Sequence, residues 1–163
     1  MSGFIHGVVA LAASLALMGQ TSAFAAGGDI PQAGQLAEIA DLSGQQAVPT
    51  IVFVSRDACP YCRTLREAIL SPMLAAGKFE QRGRLVEVSL DETEPFTGLD
   101  GELTTAQEFG AQYKAVITPT LLFLDVEGRE LSKRRIGISN LELYGFYLNQ
   151  SIDEALSKLA EAR

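Results

Sequence analysis

The sequence predicts an α/β fold in which helices pack on both faces of a mixed β-sheet. Two blocks of the chain predict this fold. In the first block, strand patterns at residues 49–54 and 84–90 flank a helical pattern, which is the order of a βαβ unit. In the second block, strand patterns at residues 119–125 and 130–136 are joined by a short turn and followed by a long amphipathic helix. Together the blocks predict a three-layer sandwich with the sheet in the middle.

The first block is preceded by a short helix predicted at residues 35–42, where apolar residues recur at helical spacing. Residues 49–54 are a β-rich run bounded by turn residues, which is typical of a strand buried on both faces. The next helical pattern is carried by Leu65, Ala68, Ile69 and Met73. Pro72 should kink or interrupt that helix, because proline removes a backbone donor. Residues 84–90 alternate between apolar and polar and predict a second strand.

An acidic segment at about residues 91–103 separates the two blocks. It holds five carboxylates together with proline and glycine, so it predicts a solvated loop inserted into the domain. Its spacing matches no calcium-binding motif.

The charged residues of the strand at 130–136 suit an edge strand, since charge discourages pairing with other chains.

Two capping boxes are predicted in the second block. Thr104 with Gln107 would open a helix that runs to about Tyr113, and Ser139 with Glu142 would open the final helix. One face of that final helix is traced by Leu141, Tyr144, Leu148, Ile152, Leu156 and Leu159.

The start of the chain has the pattern of a cleavable signal peptide. Residues 8–18 are apolar but too few to span a membrane, which takes about 20 residues. Ala23-Phe24-Ala25 is a small-x-small site, so cleavage is expected before Ala26. The start carries no Lys or Arg, which leaves an uncleaved anchor as the alternative. The predicted divisions are a signal peptide at 1–25, a flexible leader at 26–34 and one domain at 35–163.

Export of this kind predicts a periplasmic location, with membrane contact only through the signal peptide before its cleavage. The formal net charge is -7 and no basic stripe is present, so nucleic acid is not an expected partner. An oxidising compartment makes disulfide chemistry available to a cysteine pair.

Cys59 and Cys62 are the only two cysteines of the chain, and they follow the first predicted strand. Zinc is nearly excluded by counting, because a structural site takes about four ligands and the only histidine is His6, in the predicted signal. Three uses remain: binding of Cu(I) by two thiolates, a static structural disulfide, and dithiol–disulfide exchange.

Exchange is favoured by the surroundings of the pair. The first thiol would lie at a helix N-terminus, where unpaired N–H groups and the helix dipole favour a thiolate. Pro60 fits the first turn of that helix. Cys59 would be the exposed nucleophile and Cys62 the more buried resolving thiol. A second signal is Pro119, which lies just before a buried strand, and a cis peptide bond after Thr118 would be one reason to keep it there.

These residues together resemble the thioredoxin superfamily, over roughly residue 49 to the C-terminus. The resemblance rests on the strand–Cys59-Pro60-Tyr61-Cys62–helix order, on Ile117-Thr118-Pro119-Thr120 before a strand, and on Glu127-Gly128 in the hairpin. It implies a thioredoxin-like three-layer sandwich in which a cis-Pro119 packs beside the disulfide. It also implies that the backbone of Thr118 pairs with an incoming substrate, and that Pro60, Tyr61, Thr118 and Pro119 form the substrate-binding surface.

The chain departs from cytosolic thioredoxins at two points. It has no tryptophan, and Phe53 stands where those proteins carry a buried aspartate. Cys-Pro-Tyr-Cys is typical of glutaredoxins, but the glutaredoxin glycine pair is missing and only Gly137 lies in its place. The exported chain with an acidic insert looks most similar to periplasmic thioredoxin-like proteins of the type associated with sulfur-oxidation operons.

The resemblance therefore implies a thiol–disulfide oxidoreductase that acts on disulfide-containing proteins, without a cofactor or a metal. Hairpin and helix order favour a reductase, which would draw electrons from a membrane thiol carrier. The alternatives are a disulfide oxidase of the same fold and a non-enzymatic module that binds or delivers Cu(I) through the same thiols.

Overall fold

The computed structural model describes residues 28–162. The predicted signal peptide at 1–25 lies outside these residues. The strands are β1 (Thr50–Ser55), β2 (Arg84–Ser89), β3 (Phe96–Thr97), β4 (Leu103–Thr104), β5 (Thr120–Leu124) and β6 (Arg135–Ile136). The helices are α1 (Leu36–Gln46), α2 (Pro60–Leu65), α3 (Ser71–Ala75), α4 (Ala106–Gln112) and α5 (Tyr144–Glu161). No helix in the described range is long and apolar enough to cross a bilayer.

The central sheet is mixed and has the strand order β2-β1-β5-β6. β1 runs parallel to β2, and its other edge pairs antiparallel with β5. β5 in turn pairs antiparallel with β6. The parallel pair comes from the βαβ block and the antiparallel pair from the hairpin block, so the predicted fold class is confirmed.

Both faces of the sheet are covered, and the side-chain alternation of β1 and β5 divides the core in two. One face presents Ile51, Phe53, Leu121 and Phe123 to a cluster that includes residues of α2 and α5. The opposite face presents Val52, Val54, Leu122 and Leu124 to α1 and α4. Every residue of β1 is buried, as expected for a strand covered on both sides. Layers on both sides of the sheet make the three-layer sandwich.

Within the segment predicted as a flexible leader, Ile30 and Ala33 pack against the core clusters on either face of the sheet. Ile30 and Ala33 are buried, at 6% and 8% exposure. The carbonyl of Pro31 accepts a hydrogen bond from the backbone N–H of Glu87 at 2.7 Å. The spacing of apolar residues does not predict this docking. The segment is held by only two apolar side chains and one backbone hydrogen bond, which is too few to form a periodic pattern.

The helix after the cysteines is interrupted just before Pro72. α2 passes into a π-helical turn over Arg66–Leu70 and then into α3. Proline has no N–H for a helical bond, and its ring collides with the carbonyl one turn back. A π-turn accommodates an interruption of this kind. Pro72 then lies near the start of α3, where its missing donor is tolerated.

The acidic segment contains a two-stranded ribbon rather than a free loop. β3 and β4 pair antiparallel, and Phe96 is buried against the α4 side of the sheet. Its ring lies 6.0 Å from that of Phe109, between ring centroids. Leu99, which is partly buried, packs against the same cluster. Two apolar side chains therefore attach an otherwise polar segment to the core.

The capping box of α4 lies one residue beyond the predicted one. Thr105 is the N-cap: its hydroxyl accepts from the N–H of Glu108 at 3.3 Å, and the Glu108 carboxylate accepts from the N–H of Thr105 at 2.9 Å. Gln107 instead donates its side-chain N–H to the carbonyl of Leu90. The sequence fits both registers, because Thr104 and Thr105 are followed three residues later by Gln107 and Glu108.

We expect Thr105→Ala to lower the free energy of unfolding by about 1 kcal/mol, the usual loss when a threonine N-cap is removed. The backbone N–H of residue 105 is the main reason that the pKa of Glu108 lies below its usual value, and alanine keeps that bond. The substitution removes only the smaller contribution of the Thr105 hydroxyl. Thr104→Ala is the matched control and should change stability by less than about 0.5 kcal/mol. Urea unfolding followed by circular dichroism measures both. Equal losses would show that the register is not the one described.

The final helix begins later than predicted, and the second capping box is wrong. α5 starts at Tyr144, and its N-cap Leu143 makes no side-chain cap. Asn140, not Ser139, accepts a hydrogen bond from the N–H of Leu143 at 3.1 Å. The apolar face of α5 is as the periodicity predicts, with Tyr144, Leu148 and Ile152 buried.

The return strand is also shorter than the predicted 130–136. Only Arg135–Ile136 forms a paired strand, with one isolated bridge between Leu124 and Glu130. Leu131 and Ser132 between them are both buried, at 6% and 4% exposure. Two consecutive buried side chains break the alternation that a regular edge strand requires.

Because the Tyr144 side chain is buried, we expect the protein to lose stability at high pH. Burial raises its pKa from about 10 to about 12, against a smaller opposing effect of Arg135. The unfolded chain therefore ionises first, so this contribution is complete below about pH 10 and is lost as pH rises to 12. The expected loss is about 2–3 kcal/mol. Unfolding measured at pH 9 and at pH 12 should show a smaller difference for Tyr144→Phe than for the unchanged protein.

Candidate active site

Cys59 and Cys62 lie where β1 gives way to α2. Cys59 is the N-cap residue with extended backbone, and Pro60 is the first residue of the helix. The two sulfurs form a disulfide, with the Cα atoms 5.2 Å apart. The backbone N–H of Cys62 points at the Cys59 sulfur, at a distance of 3.1 Å. The first sulfur therefore lies where a helix N-terminus stabilises negative charge, as the sequence predicts.

The two sulfurs differ in access to solvent. Cys62 is fully buried, whereas Cys59 is partly exposed and is followed by exposed Pro60 and Tyr61. Tyr61 is 65% exposed. An attacking or attacked sulfur from outside can reach Cys59 only.

Sheet register brings Thr118 and Pro119 to the same end of the sheet as the cysteines. Thr120 pairs with Val54, one residue before the end of β1. The Thr118–Pro119 peptide bond is cis. Pro119 is buried and its carbonyl accepts a hydrogen bond from the N–H of Gly137 at 2.8 Å. Thr118 is half-buried, beside the exposed apolar side chain of Ile117.

The loop in front of Cys59 is held by Asp91, a contact that sequence reasoning missed. One oxygen of Asp91 bonds the guanidinium of Arg56 at 3.0 Å, and the other accepts from the backbone N–H of Asp57 at 2.8 Å. Asp57 in turn accepts a weak bond from Ser89, at 3.3 Å. Local pattern gives no signal for a contact between residues 56 and 91. The first residue of the acidic segment thus fixes the backbone that leads to the nucleophile.

A buried carboxylate, Glu87, lies on the same face of the sheet as the cysteines. It is 3% exposed and pairs in register with Phe53. Its carboxylate accepts two hydrogen bonds from the guanidinium of Arg66, one of them at 3.1 Å from Nε, and a third from the hydroxyl of Ser55. The bond to Glu87 is the main reason that the pKa of Arg66 is raised, with burial opposing it.

Arg66 connects this carboxylate to the cysteine helix. It follows Cys62 by four residues, a spacing that places side chains on one face of a helix. Its guanidinium lies over the ring of Phe53, 5.5 Å from the centroid. The Arg66–Glu87 ion pair therefore packs against Phe53, the position where cytosolic thioredoxins have aspartate. The only sign of this ion pair in the sequence is a glutamate at a position of the second strand where an apolar, inward-facing residue is expected.

The described residues contain no group of three or more His, Cys, Asp or Glu side chains placed to hold a metal ion. The copper alternative would thus depend on the two thiols of Cys59 and Cys62. Neither Glu87 nor Asp91 extends this pair into a larger ligand set.

A mixed sheet of this order, with a cysteine pair at disulfide distance at the start of a helix, defines a thioredoxin-like thiol–disulfide oxidoreductase. The family comparison agrees with the geometry. Residues 36–148 match the model of the thioredoxin-like domain, and the chain belongs to this family. No curated protein sequence matches the chain.

Solved structures support the fold. A protein described as DsbH oxidoreductase is 25% identical, with a TM-score of 0.57 over 79% of this chain and 86% of its own. Thioredoxin O2 from Arabidopsis thaliana in its oxidized state is 15% identical, with a TM-score of 0.51 over 76% and 94%. A thioredoxin from Thermus thermophilus is 22% identical, with a TM-score of 0.50 over 74% and 85%. The two thioredoxins are similar in fold alone.

Proposed function

We propose that the protein is an exported periplasmic reductase of disulfide-containing protein substrates. The observation that carries the proposal is the pairing of a partly exposed Cys59 with a fully buried Cys62 at the start of α2. The helix N-terminus favours a thiolate on Cys59, and thiolate is the attacking species. Burial of Cys62 keeps it from outside sulfurs and leaves it free to react with Cys59.

Reduction of a substrate takes two exchange steps. The Cys59 thiolate attacks one sulfur of the substrate disulfide, that S–S bond breaks, and the departing sulfur takes up a proton. Cys62 then loses its proton and attacks the Cys59 sulfur. The Cys59–Cys62 disulfide forms, and the second substrate sulfur leaves as a thiol. Two electrons pass to the substrate, and a membrane thiol carrier would return two electrons to the protein.

Substrate binding is assigned to the surface around the disulfide. Thr118 offers its backbone to an extended substrate segment, with Pro119 behind it, and Pro60 and Tyr61 contact the segment from the helix side. The exposure of Tyr61 and of Ile117, at 65% and 62%, supports this assignment. Exposed apolar side chains on both sides of a reactive sulfur suit a polypeptide ligand.

Activity is tested by reduction of insulin disulfides with dithiothreitol as the electron donor. The purified protein should accelerate insulin reduction, and Cys59→Ser should abolish the acceleration. Thr64→Ser, an exposed change on the same helix, is the matched control and should retain activity. Equal activity of Cys59→Ser and the unchanged protein would refute the proposed role of Cys59 as the nucleophile of a disulfide reductase.

The direction of electron flow is tested by the reduction potential of the cysteine pair. A value near that of thioredoxin, about −270 mV, suits a protein reductase that is recharged by a thiol carrier. A value near −120 mV, as in a strong oxidant, would favour the oxidase instead. Potentials are measured by equilibration with defined glutathione buffers.

Export is tested separately from activity. Expression of the whole chain in a Gram-negative host, followed by fractionation, should place the protein in the periplasmic fraction. Sequencing of its N-terminus should give Ala26. A product that stays in the membrane fraction with residues 1–25 intact would support the uncleaved anchor.

A further inference from the structure

A cavity of about 250 Å³ lies between β6 and the N-terminus of α5. Its wall includes three consecutive basic residues, Lys133, Arg134 and Arg135, and two tyrosines, Tyr144 and Tyr147. Among the described residues that line the cavity there is no Asp or Glu. A cavity of this charge is unexpected on a chain with a net charge of -7, and it favours an anionic occupant.

Arg135 is held in place and still has donors to offer. Its Nε donates to the Ser151 hydroxyl at 2.9 Å and one terminal nitrogen donates to the carbonyl of Tyr147 at 3.0 Å. The guanidinium also lies over the ring of Tyr147, 5.3 Å from the centroid. These contacts fix the plane of the group, while its remaining N–H groups are available to a ligand.

Arg134, unlike Arg135, has its guanidinium committed to other groups of the protein. Its guanidinium is engaged by the carboxylate of Glu130 and by the carbonyl of Tyr113. Lys133 is exposed at the rim. The positive charges that can serve an occupant are therefore those of Arg135 and Lys133.

Tyr144 adds a hydrogen-bond donor without an acceptor. The residue is 5% exposed, and its buried hydroxyl has no partner among the described residues. Buried hydroxyl groups are normally hydrogen-bonded, so this one calls for a partner. Tyr144 also begins α5, which has no acidic residue in its first turn to offset the positive end of the helix dipole. Exposed Glu142 precedes the helix but does not line the cavity.

The cavity lies next to the substrate side of the disulfide. Ile136 and Gly137 belong to its wall. Ile136 pairs with Thr120, and the N–H of Gly137 donates to the carbonyl of Pro119. An extended segment bound at Thr118 would therefore pass within a strand's width of the cavity.

We propose that this cavity is a carboxylate-binding site, with charge from Arg135 and Lys133 and a hydrogen bond from the Tyr144 hydroxyl. A carboxylate accepts several hydrogen bonds and fits the fork of a guanidinium. It could be an Asp or Glu side chain of a disulfide substrate, a source that rests on the proposed function, or a small free carboxylate.

Binding is tested first without any redox reaction. Succinate is titrated into the oxidised, ¹⁵N-labelled protein, and saturable shifts are expected at the backbone amides of Gly137 and Ser139. Tyr144→Phe and Lys133→Gln should each raise the dissociation constant about tenfold. Tyr113→Phe and Lys158→Gln are the matched controls and should leave it unchanged.

Whether the carboxylate comes from a protein substrate or from a small free molecule is tested with two disulfide-bonded peptides. The peptides differ by one Glu-to-Gln change near the cysteine. A kcat/KM about tenfold higher for the Glu peptide than for the Gln peptide supports recognition of the substrate's carboxylate. This preference should be smaller in Lys133→Gln. Succinate binding without this preference supports a free carboxylate as the ligand. If succinate gives no saturable shifts and the peptides react equally, the site is overturned. Loss of all peptide reduction with intact succinate binding would refute only the proposed function.

Discussion

Cys62→Ser is expected to trap the protein on its substrate as a mixed disulfide through Cys59. Cys59 keeps its exposed position at the helix N-terminus, so the first exchange still occurs. The buried partner that would release the substrate is gone. An intramolecular thiol is equivalent to a very high concentration of an external one, so turnover should fall by about 100-fold or more.

The trapped species is measured by intact-mass spectrometry after reaction with insulin under non-reducing conditions. Cys59→Ser is the control, and it should form almost no adduct because Cys62 cannot be reached from solvent. Similar adduct levels in the two variants would contradict the division of roles between an exposed nucleophile and a buried resolving thiol.

Glu87→Ala is expected to cost about 2–3 kcal/mol of stability. Removal of one partner from a buried ion pair costs about 3–5 kcal/mol because the other charge is left unpaired. The Arg66 side chain is 35% exposed and can turn towards water, which places the cost below that range. Ser55 loses its acceptor as well.

Chemical unfolding measures this cost, with Glu67→Ala as the matched control. Glu67 is an exposed neighbour of Arg66, so its removal should change stability by less than about 0.5 kcal/mol. The double variant Arg66→Leu with Glu87→Leu should recover most of the loss, since no charge remains buried. If Glu87→Ala and Glu67→Ala behave alike, the ion pair is not a structural element.

Much of the fold is predictable because the strands carry strong local patterns. β1 and β5 are continuous apolar runs, and the cysteine pair follows β1 directly. Element starts are less predictable where two registers fit, as with Thr104 and Thr105 before α4. The local chemistry of both threonines is the same, and only the packing of Phe109 and Ala106 into the core selects between them.

The supports of the site are not visible in local pattern. Arg66 and Glu87, and likewise Arg56 and Asp91, are joined only because β2 returns parallel to β1. Periodicity describes a residue's own element and is silent about its partner in another one. The cysteines themselves were found because their chemistry depends on a short spacing, whereas their surroundings depend on contacts more than twenty residues apart in sequence.

The docking of Pro31 on β2 has a consequence for where the domain can be cut. β2 is the outermost strand on its side of the sheet. The short bridge from Gln32 to Glu87 occupies part of its open side, and Ile30 fills a place in the core beneath it. A chain that began at residue 35 would leave backbone groups of β2 unsatisfied and an apolar gap beside them. Such an uncovered strand is a template for pairing with another copy, so the truncated protein would tend to self-associate.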